Sequence, residues 1–74
     1  MLWRRVLRAI ADMPGRGPGE YAKALGVSSG SMGRAIDRLE AKRFITRRPV
    51  PDQGHKVALN LTDEGRKALD ELPR

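Results

Sequence analysis

Apolar residues return along this chain with two different periods. From Leu2 to Met13, Trp3, Val6, Leu7, Ile10 and Met13 recur at helical spacing, and Arg4, Arg5 and Arg8 fall largely on the other side. Arg8 is spaced to pair with Asp12 one turn on. The stretch Pro14-Gly15-Arg16-Gly17-Pro18-Gly19 resists regular structure and reads as a connecting loop. A short helix follows from about Gly19 to Leu25, with Pro18 at or before its start and Tyr21, Ala22 and Leu25 on its apolar side. Gly26 supplies a positive-φ stop, and Ser28 is placed to cap the next helix. In that helix Met32, Ala35, Ile36 and Leu39 share one face. Gly30, Arg34, Asp37 and Ala41 point the other way, flanked by Gly33 and Arg38.

The period then shortens to two. Phe44 to Arg48 is β-prone, Pro49 to Gly54 is turn-forming, and Lys56 to Leu61 alternates, with Val57, Leu59 and Leu61 expected inward and Lys56, Ala58 and Asn60 outward. Thr62 is a cap for a last helix whose first turn carries Asp63 and Glu64, favourable at the positive end of the helix dipole. Gly65, Ala68, Leu69 and Leu72 form its inward stripe and Pro73 stops it. The pattern predicts one domain over residues 1–74, with helices over about 2–13, 19–25, 28–42 and 63–72 and a hairpin over about 44–61. The fold class is α+β, mainly α: three packed helices, a two-stranded hairpin and a C-terminal helix. A helix-turn-helix followed at once by a hairpin is a winged helix.

Composition narrows what such a domain does. With no cysteine and a single histidine, His55, the chain has no thiolate chemistry, no disulfide and no expected metal site or cofactor. No apolar run approaches the roughly 18 residues of a spanning helix. The serines at 28, 29 and 31 are explained by capping and turn chemistry, and His55 has no neighbouring nucleophile, so no enzyme activity is expected. The net charge of +6 is uneven. Residues 1–33 carry five basic and two acidic groups, residues 34–56 seven and three, and residues 57–74 three and four. The largest excess therefore lies in the third helix and the hairpin, which points to an acidic partner, nucleic acid first. The N-terminal segment is basic and amphipathic with a tryptophan, a pattern also found in membrane-surface helices. Its apolar stripe is instead needed for the core, and no membrane partner is expected.

Particular stretches resemble the MarR family of bacterial transcription regulators. Tyr21 to Ser28 looks like that family's second helix and turn, and Met32 to Lys42 is similar to its recognition helix. Ile45-Thr46-Arg47-Arg48-Pro49 and Leu59 to Arg66 resemble its wing strands and the start of the next helix. The Asp37-Arg38-Leu39-Glu40 and Leu61-Thr62-x-x-Gly65 stretches are the most specific parts, and the likeness spans roughly residues 5 to 72. The resemblance implies a small cytoplasmic, nucleoid-associated regulator that binds double-stranded DNA. This chain departs from the family at Arg43, where a glycine is usual, and in Val50 to Lys56, which lacks the Asp-x-Arg wing signature. It is also about half the usual length, with little left for the dimerising helices.

The candidate DNA-binding residues are Ser28, Ser29, Gly30, Ser31, Gly33, Arg34 and Arg38 around the recognition helix, and Arg47, Arg48, His55 and Lys56 on the wing. Arg34 is suited to read a base, because a guanidinium can bind guanine O6 and N7 together. The wing cations are suited to phosphate or the minor groove. Gly30 and Gly33 have two readings: close approach of the backbone to DNA, or drift in a weakly constrained helix. Trp3 in the first helix, or the last helix, is the candidate homodimer contact. The rival reading from another class is a winged helix whose basic face docks an acidic protein.

Overall fold

The computed structural model describes residues 2–71. Four helices and one hairpin follow in the order α1 (Leu2–Asp12), α2 (Pro18–Leu25), α3 (Ser29–Ala41), β1 (Ile45–Pro49), β2 (Val57–Leu61) and α4 (Asp63–Asp70). This is a mainly helical α+β winged helix. The expected ends at Leu72 and Pro73 lie outside the described residues.

Each boundary has a local cause. Pro18 occupies the first turn of α2, where its missing N–H costs nothing, one residue earlier than the sequence suggested. Gly26 ends α2 at φ 68°, and the Val27 N–H reaches back to the Ala22 carbonyl at 3.0 Å. Ser28 caps α3 by accepting the Ser31 N–H at 3.1 Å, so the helix proper begins at Ser29 and ends at Ala41. Thr62 caps α4 in the same way through the Gly65 N–H at 2.9 Å. Arg43, standing where glycine is usual, takes the left-handed conformation at φ 63° and turns the chain out of α3.

The core lies where α1, α2 and α3 meet the hairpin. Val6, Leu7, Ile10, Tyr21, Met32, Ile36, Leu39 and Leu59 are fully buried, and Ile45 and Leu69 join them. Trp3, Met13, Leu25 and Phe44 pack on its margin, only half-buried. The strands pair antiparallel with Ile45 opposite Leu61, Arg47 opposite Leu59 and Pro49 opposite Val57. Two expectations for the hairpin change. Pro49 ends β1 rather than starting the turn, a strand-end position where proline is tolerated. The alternation in β2 is weaker than its sequence: Leu59 alone is buried, while Val57, Ala58, Asn60 and Leu61 are all half-buried.

The Pro14–Gly19 segment is more than a connector. Arg16 pairs antiparallel with Leu59 on the free edge of β2, through Gly15 N–H to Leu59 O and Leu59 N–H to Arg16 O, both 2.9 Å. The Tyr21 hydroxyl secures the same loop from below, donating to the Met13 carbonyl and accepting the Arg16 N–H. Desolvation of this buried phenol raises its pKa above the ordinary 10.0. The spaced Arg8 and Asp12 form no ion pair among the described residues.

Candidate nucleic-acid interface

The outward face of α3 is built by its inward one. Because Met32, Ala35, Ile36 and Leu39 are buried, Gly30, Arg34, Asp37 and Ala41 are exposed along the opposite side of the helix. Ser28 and Ser31 are committed to the cap: beyond the backbone bond, the Ser28 hydroxyl donates to the Ser31 hydroxyl at 3.1 Å. Ser29 stands exposed in the first turn. Arg34 and Arg38, one turn apart, are exposed and line an open cleft with Leu2, Trp3, Ser31 and Ala35. Neither arginine is in an ion pair among the described residues. Their full charge therefore remains available to an outside ligand.

Gly30 and Gly33 have no packing reason to be glycine. A β-carbon at either position would meet nothing within 4 Å, and neither has a positive φ. Gly65 in α4 is the opposite case. A β-carbon there would overlap the Phe44 carbonyl oxygen and lie 2.8 Å from the carbonyl carbon. The α4 backbone thus approaches the Arg43–Phe44 turn directly, and Thr62 binds that turn twice. Its N–H donates to the Phe44 carbonyl at 2.9 Å and its hydroxyl to the Arg43 carbonyl at 2.6 Å. The junction fixes where the hairpin leaves α3.

The wing divides its basic residues. Arg47 turns back to α3, where its guanidinium meets Asp37 at 3.1 Å and Glu40 at 3.3 Å. It ties β1 to the recognition helix and offsets part of the charge of two carboxylates on that helix. Sequence reading missed this partnership, although acids three apart on one helix followed by an arginine in the next strand were a visible signal. Arg48 is exposed, without such a partner among the described residues. His55 and Lys56 are exposed at the end of a tip closed by Val50 N–H to Lys56 O at 3.0 Å, with Asp52 and Gly54 at positive φ. They line a hollow with the Gly15–Gly19 loop rather than joining Arg34 and Arg38. Arg16, unforeseen as a site residue, lines the same hollow and is paired with Glu20 at 3.4 Å. Among the described residues no group of three or more His, Cys, Asp or Glu could hold a metal ion, and no helix is long and apolar enough to cross a membrane.

The MarR family profile matches residues 1–54 of this sequence. The chain belongs to the MarR family. Among solved structures, the PcaV transcriptional regulator of Streptomyces coelicolor superposes with a TM-score of 0.93 at 24% identity, over 97% of this chain and 51% of that one. MarR of E. coli follows at 0.89 and 30% identity, over 95% and 52% of the two chains. FabT of Streptococcus pneumoniae, solved in complex with DNA, reaches 0.88 at 26% identity over 95% and 49%. The chain spans about half the length of these MarR-family structures. No curated protein sequence matches it.

Proposed function

We propose that this chain is a sequence-preferring double-stranded DNA-binding transcription regulator, with α3 in the major groove and the wing on the adjacent backbone. The carrying observation is the exposed pair Arg34 and Arg38, without ion-pair partners among the described residues, on the outward face of a capped helix. The first turn of α3, with Ser29 and the open positions Gly30 and Gly33, brings backbone close to the duplex. Arg34 reads a base, and Arg38 supports it from the next turn. Arg48, His55 and Lys56 hold phosphate or the minor groove, adding affinity more than specificity. Arg47 acts at one remove, by holding the wing on α3. The family membership and the relatives solved with DNA support this reading. The protein works at the nucleoid, and a second copy contacts the face around Trp3 or the last helix.

Fluorescence anisotropy with duplexes across a salt series tests the proposal. Log affinity should fall with log salt by about 0.9 per phosphate contacted. Arg34→Ala should cost about 1–3 kcal/mol and relax preference at one base pair, whereas Lys56→Ala should weaken all duplexes alike. Absence of binding to any duplex at low salt overturns the reading, and leaves the rival in which this face docks an acidic protein.

A further inference from the structure

The arginines of α1 are not used by the DNA-binding reading. α1 buries Val6, Leu7 and Ile10 against the core that it shares with α3, and its start reaches the Arg34–Arg38 cleft through Leu2 and Trp3, while its exposed side is turned away from that core. On this side Arg4, Arg5 and Arg8 are all exposed. They border a groove between α1 and the end of α2, of about 550 Å³, floored by Ala9, Met13, Ala24 and Leu25. The Arg5 guanidinium donates to the Leu25 carbonyl at 3.0 Å, which fixes one wall by capping the C-terminus of α2. Arg4 lies over the Trp3 ring, 5.7 Å from its centre. The single acid on the groove is Asp12, at its far end.

We infer that this groove is a docking site for an acidic amphipathic helix of a partner protein. The chemistry selects that occupant in three ways. The apolar residues form the floor and the cations stand along the rim, so the groove takes apolar anchors flanked by carboxylates. From Arg4 to Asp12 α1 runs about 12 Å, enough for anchors at i, i+3 or i+4 and i+7, which span about 10 Å. An apolar floor is also a poor seat for a phosphate backbone. The last helix of a second copy does not supply the complement. The acids of α4 share its surface with Arg66 and Lys67, and its Leu69 is buried.

The test is a heteronuclear NMR titration of the full chain with a designed helical peptide, leucine at i, i+3, i+4 and i+7 and glutamate on the flanks. A peptide of the same composition in scrambled order is the control. Shifts should concentrate at Ala9, Met13, Ala24 and Leu25, and the scrambled peptide should not produce them. The Arg4→Gln/Arg8→Gln variant, altered at exposed positions, should bind the peptide about five- to tenfold more weakly. Shifts on α3 or the wing, equal binding of the scrambled peptide, or indifference to the double substitution would each overturn the proposal. So would perturbation of this face by phosphatidylglycerol vesicles but not by the peptide. A failure of duplex binding in the parent chain leaves all these outcomes readable.

Discussion

Replacing Gly65 with alanine separates local propensity from tertiary packing at a single position. In an unobstructed helix, glycine to alanine stabilises by about 1 kcal/mol. At Gly65 the new methyl would overlap the Phe44 carbonyl oxygen and lie 2.8 Å from its carbon and 3.1 Å from its Cα. Carbon atoms prefer separations of about 3.5–4.0 Å, so α4 and the Phe44 turn must separate. Overpacking of this kind costs about 1–3 kcal/mol. The separation also strains the Thr62 N–H bond to Phe44 and the Thr62 hydroxyl bond to Arg43, each contributing about 0.5–1.5 kcal/mol. Against the gain in propensity, the net loss should be about 2 kcal/mol, or a fall in Tm of about 10 °C for a domain of this size. Urea and thermal unfolding followed by circular dichroism measure it directly. Gly33→Ala on α3, where an added β-carbon meets nothing within 4 Å, is the matched control and should gain about 1 kcal/mol. If Gly65→Ala is neutral or stabilising, the close approach of α4 to Phe44 does not hold the wing in place.

Three further outcomes follow from particular residues. Gly30→Ala and Gly33→Ala, each more stable than the parent, should bind duplex more weakly if backbone approach matters; unchanged affinity in the anisotropy assay identifies these glycines as drift. Arg43→Gly should raise stability by about 1 kcal/mol, because a non-glycine residue in the left-handed region costs about 1–2 kcal/mol, and urea unfolding checks it. Burial holds the Tyr21 phenol above its ordinary 10.0, so the folded state keeps its proton where the unfolded chain has lost it. Stability from this source is present below pH 10.0 and is lost as pH rises through the folded pKa. Unfolding at alkaline pH should show that decline, and the near-ultraviolet phenolate absorbance of this sole tyrosine reports its ionisation.

The helices were legible because their signals are local. Ser28 and Thr62 sit before apolar runs at helical spacing, Gly26 ends α2, and Asp63 and Glu64 open α4. Capping and periodicity involve residues within one or two turns, which sequence order keeps together. The outward face of α3 followed from the same arithmetic, and with it the exposure of Arg34 and Arg38. Three things were decided only when distant segments met. Arg16 joins β2 through residues 43 positions away, in a loop whose prolines and glycines argued against any pairing. Gly65 looked like one more small residue on an inward stripe, and its reason is the Phe44 carbonyl brought against it. Arg47 was counted with the wing cations, but Asp37 and Glu40 hold it as a brace. The sequence alone therefore determined which elements form and which faces carry charge, since those depend on neighbours along the chain. The tertiary structure decided which charges remain free and which glycines are irreplaceable, because charge pairing and steric exclusion act only between atoms that the fold brings into contact.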